Sequence, residues 1–235
     1  MFQRKDKAES IRALFSAPLG MNDVAFVYLG NSGVILRTRQ GTIAFDVADL
    51  LRAEDARALE GLDILLYTHD HTDHYSSREA IEILKVTDAR IVAEPSVARD
   101  LRGKVPSERL TSAEPSKTYG VGDFEIKTIR GVHLGPIILY RVGVGEISIF
   151  HGGDSGYVPV KEYPSGLAFL PTGGPSPTAS PGDAVKMAVD LKSKTAVAIH
   201  GSASQNRAFE KGVRDRIPGI SAIIPEPYKA EKVTL

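Results

Sequence analysis

At 235 residues, with 42% hydrophobic and 25% charged residues, the chain is long enough for one α/β domain or for two half-domains sharing a core. Lysine plus arginine equals aspartate plus glutamate at 29 each, so no overall basic excess points to a nucleic-acid partner. Cysteine is absent, which excludes disulfides and thiolate ligands and leaves only nitrogen and oxygen donors for a metal.

No apolar run approaches the length of a membrane span, so no membrane partner is expected. The segment Met1–Lys7 is too polar for a signal peptide, and a cytoplasmic location is the expectation. Ala8, Ile11, Leu14 and Phe15 fall on one helical face, which predicts a short docking helix over 8–15. Strands follow at Val24–Leu29, Val34–Thr38 and Thr42–Phe45, punctuated by Gly30-Asn31-Ser32-Gly33 and Gln40-Gly41. A helix is expected within 53–60 and a buried strand at 63–68. Ser76-Ser77-Arg78-Glu79 fits a capping box opening a helix to about Lys85. A strand at Arg90–Ala93 and a helix near 95–102 complete the first half.

The second half repeats the plan. Strands are expected at Phe124–Arg130, Ile137–Val142, Ile147–Phe150 and Leu167–Leu170. A loop rich in Pro, Gly and Ser runs from Pro171 to Pro181. Helix 183–192, strand Ala196–Ile199, helix 205–216 and strand Ile220–Ile224 follow. Strands first and helices later, twice over, predict an αββα sandwich: two β-sheets face to face with helices outside. One domain over 1–235 is expected, its halves at roughly 20–120 and 121–230.

The strand at 63–68 leads into His69-Asp70-His71-Thr72-Asp73-His74, which holds three of the chain's six histidines. Imidazole nitrogen and carboxylate oxygen are the donors a hydrolytic divalent ion needs. In extended chain, residues i and i+2 point the same way, so His69 and His71 can chelate one ion. Asp73 and His74, past a bend, can face a second. Asp70 and Thr72 alternate away. Three more donors stand after strands beside glycine: His133 in Gly131-Val132-His133, Asp154 in Gly152-Gly153-Asp154-Ser155-Gly156, and His200 in Ile199-His200-Gly201. Their shared placement at strand ends predicts that all seven converge on one pocket.

The order HxHxDH, then His, then Gly-Asp-Ser, then His resembles the metallo-β-lactamase superfamily of metal-dependent hydrolases. Tyr28–Gly33 looks like that family's opening strand and turn, and Thr42–Asp46 like its next strand with a terminal aspartate. Leu170-Pro171-Thr172-Gly173-Gly174 is similar to a segment of the branch of L-ascorbate-6-phosphate lactonases and small uncharacterised metal-dependent hydrolases. The resemblance implies two divalent ions, with zinc expected and manganese or iron as alternatives. It assigns His69, His71 and His133 to one ion and Asp73, His74 and His200 to the other, with Asp154 bridging. It implies a binuclear hydrolase using a metal-bridging hydroxide on an ester-like bond, a phosphodiester or a lactone, with Asp73 and Asp154 in the catalytic centre. The alternatives are a metal-binding or ligand-sensing protein of the same fold without turnover, and an RNA-processing nuclease. A small-molecule substrate is expected, a nucleic-acid partner is not, and a homo-oligomer is compatible with the sequence.

Five further residues bear on the site. Asp46 either hydrogen-bonds a ligand histidine or merely ends a strand. His151, three residues before Asp154, either donates a proton in the pocket or stacks at a strand end. Tyr75 and Tyr157 are candidate substrate contacts. Asn31 stands where many relatives of that branch have histidine, and asparagine cannot shuttle a proton near neutral pH.

Overall fold

The structure is a computed structural model, and it describes residues 7–51, 53–59, 61–174 and 177–235. Most of the segment read for a signal peptide, and part of the Pro171–Pro181 loop, therefore lie outside the described residues. The elements in chain order are α1 (Lys7–Ser16), β1 (Asp23–Gly30), β2 (Gly33–Arg37), β3 (Thr42–Phe45), α2 (Ala53–Ala56), β4 (Ile64–Tyr67), α3 (Ser77–Val86), β5 (Arg90–Ala93), α4 (Pro95–Leu101) and β6 (Leu110–Ser112). Then come β7 (Thr118–Val121), β8 (Phe124–Arg130), β9 (Ile138–Val144), β10 (Ile147–His151), β11 (Leu167–Pro171), α5 (Pro181–Asp190), β12 (Thr195–Ile199), α6 (Ala203–Arg216), β13 (Ser221–Ile223) and β14 (Ala230–Thr234).

These elements fall into two compact units, one reaching to Ala113 and taking in Glu226–Thr234, the other spanning Glu114–Pro225 with Leu235. Each contains one seven-stranded sheet, in the orders β14-β1-β2-β3-β4-β5-β6 and β13-β12-β11-β10-β9-β8-β7. Pairing along the first sheet, from β14, is antiparallel three times and then parallel three times. Along the second, from β7, the same sequence recurs. The two units thus share one order of antiparallel and parallel pairing. In it, the strand matching β7 is supplied to the first unit from the far end of the chain.

In the first unit, alternate strand residues Ala25, Val27, Leu29, Ile35, Ala44, Leu65, Tyr67, Ile91 and Ala93 form one core with the apolar stripes of the helices. Ile11 and Leu14 come from α1, Ala80, Ile83 and Leu84 from α3, and Val97 and Leu101 from α4. The intervening strand residues, among them Phe26, Ile43 and Leu66, are buried as well. Burial at every position explains why β3 and β4 read as continuous apolar runs rather than alternating ones. The second unit follows the same rule, with Leu139, Phe150, Ala168, Leu170 and Ala198 against Ala184, Met187 and Ala188 of α5 and Phe209 and Val213 of α6.

Three edge or near-edge features depart from the expectation. β6, β7 and β14 carry no strong strand signal, since Thr-Tyr-Gly-Val and Ala-Glu-Lys-Val-Thr alternate with polar or small residues as exposed edges do. The fragment ending at Ala113 lacks β14 and leaves Asp23–Val27 of β1 without a partner on that edge, with β2 still paired on the other. Expressed alone, it is expected to show no cooperative unfolding transition by circular dichroism, whereas the full chain shows one. A sharp transition in the fragment would remove β14 from the account of that unit's stability.

The capping box at Ser76 is half formed. Ser76 caps α3 by accepting from the Glu79 backbone N–H. The Glu79 carboxyl does not return to Ser76; it accepts from the N–H groups of Leu50 (3.3 Å) and Leu51 (2.7 Å). The Leu50 N–H is also given to the Ala48 carbonyl, whereas Leu51 is buried and its N–H must find an acceptor, which Glu79 provides. Burial pushes the Glu79 carboxyl up to about 8, opposed by the bond from Leu51 and assisted by the nearby Asp49 charge. A raised folded-state value means that the folded chain favours the protonated form. Its stabilising contribution is complete below the ordinary value of about 4.5 and is lost as pH rises through about 8. Glu79→Gln keeps an acceptor but cannot ionise. The melting temperature of the variant is therefore expected to gain on that of the parent between about pH 5 and about pH 9. Parallel pH profiles for the two proteins would contradict this.

Candidate functional site

In the first unit the site grows from the ends of β3 and β4. After β3 the chain turns at Asp46, a fully buried residue with φ of 46°. A non-glycine residue in that region is uncommon, and aspartate is among the few that tolerate it. The turn points the Asp46 carboxylate toward the residues after β4. It accepts from the backbone N–H of Thr68 (2.8 Å), from the Thr68 hydroxyl (2.7 Å) and from His74 Nδ1 (2.9 Å). The Thr68 hydroxyl lies 3.0 Å from His69 Nδ1. Because that hydroxyl gives its one proton to Asp46, it accepts from His69. Both His69 and His74 are thereby held with the proton on Nδ1 and the lone pair on Nε2.

Past Tyr67 the chain bends at Thr68 and turns again after His71, the N–H groups of His74 and Tyr75 both donating to the His71 carbonyl. The bend gathers the three rings. The centroid of His69 is 4.5 Å from that of His71 and 4.1 Å from that of His74. Asp73 Oδ2 lies 3.5 Å from His74 Nε2. Asp70 and Thr72 are exposed, as the alternation requires. His69, His71, Asp73 and His74 thus form one donor cluster, with Asp46 organising it by hydrogen bonding.

In the second unit His133, Asp154 and His200 come together. Asp154 Oδ2 lies 3.5 Å from His133 Nε2, and its Oδ1 lies 3.5 Å from His200 Nδ1. Asp154 is buried and also accepts a hydrogen bond from the Thr178 hydroxyl. Ser155, the residue after it, ties the loops together. Its hydroxyl accepts from Val132 N–H (2.9 Å) and donates to the Gly156 carbonyl (2.8 Å), while Gly156 N–H donates to the Val132 carbonyl (2.7 Å). His200 sits at φ 47°, and Gly201 follows because a Cβ there would stand 1.9 Å from the Thr172 hydroxyl oxygen. Sequence reasoning missed Thr68, Ser155 and Thr178. Only Ser155 left a trace, as part of Gly-Gly-Asp-Ser-Gly.

His151 ends β10, fully buried, with its ring centroid 6.2 Å from that of Phe169. Its Nδ1 accepts from Gly153 N–H at 3.2 Å, which places its proton on Nε2 and makes it a brace for the Asp154 loop. Tyr75 is buried against Tyr67 and donates to Asp100 (2.6 Å). Tyr157 is partly exposed and donates to Asp190 (3.0 Å). Asn31 holds the tight turn after β1 at φ 47°, its carbonyl accepting from the Tyr28 hydroxyl.

The donor chemistry fits a divalent metal. Three nitrogen–oxygen pairs, His74–Asp73, His133–Asp154 and His200–Asp154, each stand at 3.5 Å. That is longer than a good hydrogen bond. It is the separation of two atoms that share an ion at about 2.1 Å each in tetrahedral geometry, roughly 3.4 Å. All seven residues belong to His and Asp groups that could hold a metal ion.

Two mixed seven-stranded sheets with helices, carrying histidine and aspartate donors on the loops after their strands, define the metallo-β-lactamase fold. The model of the β-lactamase superfamily domain matches residues 44–201, and the chain belongs to that superfamily. A UPF0173 protein of Pyrococcus abyssi (strain GE5 / Orsay) is 27% identical over 180 residues, which cover 74% of this chain and 81% of the relative. A UPF0173 metal-dependent hydrolase of Metallosphaera sedula is 30% identical over 188 residues, covering 72% and 80%. Among solved structures, the metallo hydrolase Igni18 of Ignicoccus hospitalis has a TM-score of 0.76 at 19% identity, covering 91% of this chain and 99% of that one. Among the described residues, no helix is long and apolar enough to cross a membrane.

Proposed function

We propose that this protein is a hydrolase that holds two divalent metal ions and cleaves an ester-like bond in a small molecule. The observation that carries the reading is the set of three nitrogen–oxygen pairs at 3.5 Å, in a chain whose relative from Metallosphaera sedula is named a metal-dependent hydrolase. His69, His71 and His133 hold one ion. Asp73, His74 and His200 hold the other, and the Asp154 carboxylate serves both. Zinc suits this nitrogen-rich set best, with manganese and iron as alternatives. When bound, such a pair supplies Lewis acidity and a nucleophile drawn from water at neutral pH.

The chain's own residues do the positioning. Asp46 and Thr68 fix the tautomers of His74 and His69, so that neutral imidazoles present Nε2 lone pairs. Thr178 and the His151 brace fix the Asp154 carboxylate. Asp154 and Asp73 supply the negative charge that lets two cations lie close together.

Protein purified without added metal is expected to carry close to two equivalents by elemental analysis. It is expected to turn over at least one member of a panel of phosphodiesters and lactones, and to lose that turnover on chelation. Protein with a full metal complement and no turnover would favour a metal-dependent sensor.

A further inference from the structure

Tyr75 and Tyr157, candidate substrate contacts by sequence, turn their hydroxyls onto helices instead. Tyr75 follows His74 directly, and its backbone N–H shares the His71 carbonyl with that of His74. Tyr75 is 9% exposed, and a phenol so far from water needs a partner. The hydroxyl finds it outside the turn, donating to Asp100 Oδ2 of α4 at 2.6 Å. Lys104 Nζ donates to the other oxygen of that carboxylate at 2.6 Å, so the acceptor is itself held in place. The Tyr75 ring meets the Tyr67 ring edge-on, with centroids 5.1 Å apart. The Tyr67 hydroxyl in turn donates to the carbonyl of Val47, next to Asp46. The turn that carries His71, Asp73 and His74 is thus tied to α4 by one phenol.

The second unit repeats the device. Tyr157 lies three residues after Asp154, and its hydroxyl donates to Asp190 Oδ2 of α5 at 3.0 Å. Lys186 of the same helix places its ammonium 5.6 Å from the centroid of the Tyr157 ring. The two aspartates also share an uncommon address. Asp100 and Asp190 each stand in the last turn of their helix, where the helix dipole disfavours negative charge. Helix formation gives no reason for an aspartate at either place, whereas the tyrosine hydroxyl does. Tyr157 is 38% exposed, so water can stand in for Asp190 there, and its link is the weaker of the two.

Building on the hydrolase reading above, we infer that Asp100 and Asp190 are positioning residues, each acting on the metal donors through a tyrosine. Asp100 holds the turn of His71, Asp73 and His74 through Tyr75. Asp190 holds the loop of Asp154 through Tyr157. A ligand turn that is already ordered binds its ion more tightly, because less ordering remains to be done when the ion arrives. Neither aspartate is itself a ligand in this reading.

The test reads metal binding by the full chain, stripped of metal and then titrated with zinc against a coloured chelator, and with cobalt(II) for its visible spectrum. Tyr75→Phe keeps the ring and loses the hydroxyl. It is expected to lower zinc affinity about tenfold and to change the cobalt spectrum. Asp100→Ala, at a half-exposed position, is expected to do the same, and Asp100→Asn to recover part of the affinity. The double variant should be no worse than either single one, since both cut the same link. Tyr157→Phe should lose about twofold. Ile83→Val, a cut in the core beneath α3, is expected to lower the melting temperature and leave both metal readouts unchanged. Unchanged affinity and spectrum in Tyr75→Phe and Asp100→Ala, additive losses in the double variant, or an equal loss in Ile83→Val would overturn the inference and leave the hydrolase reading intact. No change in Tyr157→Phe would overturn the Asp190 half alone. Parent protein that binds neither zinc nor cobalt would sink the hydrolase reading itself.

Discussion

Asp154→Ala is expected to lose hydrolysis and at least one metal equivalent while the fold persists. The Asp154 carboxylate stands 3.5 Å from both His133 and His200 and is held by Thr178. Its removal withdraws one oxygen donor from each proposed ion together with the negative charge that screens their repulsion. Several kcal/mol of transition-state stabilisation go with it, roughly a thousandfold or more in rate. Asp154→Asn keeps the shape and an oxygen donor but not the charge, so it should retain metal better than alanine and remain slow. Asp70→Asn is the control. Asp70 lies in the same turn but is exposed, and the change should be close to neutral. The measurements are elemental analysis and turnover on the best substrate found. Full activity in Asp154→Ala, or a loss in Asp70→Asn as deep as that in Asp73→Asn, would mean that the wrong carboxylates have been assigned.

Asp46→Asn should produce the second large effect without removing any ligand. Asparagine tolerates the left-handed backbone at this position, so the turn after β3 survives. The side chain then presents an amide where a carboxylate accepts three hydrogen bonds, two from Thr68 and one from His74. His74 loses the partner that fixes its proton on Nδ1, and Thr68 loses its hold on His69. Losses of this kind typically reduce metal affinity or activity ten- to a hundredfold. A competition titration with a coloured chelator reads the affinity directly, apart from turnover. Unchanged affinity in Asp46→Asn would reduce Asp46 to a strand terminator.

Much of this was legible in the chain because the signals are dense. The hexapeptide follows an apolar run that is buried at every position, so a strand leading into a ligand turn was the economical reading. The sheets were legible where strands are central, as at β3, β4, β11 and β12, since their fully buried faces leave only apolar residues. β14 was not, because an exposed edge strand needs its register with β1 rather than a hydrophobic pattern to exist. The positive φ at Asp46 and His200 was invisible too, as aspartate and histidine tolerate that region without requiring it. Thr68 was hidden for another reason: its value lies in a single proton shared out between two neighbours, which spacing cannot reveal.

The position of β14 also bears on how the molecule is made. β1 emerges early in synthesis and can pair with β2 at once, but its other edge waits for residues 230–234. At ordinary translation speeds the intervening chain takes on the order of ten seconds to produce. For that interval Val24, Phe26 and their neighbours offer a bare row of amides and carbonyls to any passing strand. The nascent chain is therefore most exposed to mispairing while its second unit is being synthesised, a hazard of timing rather than of the finished fold.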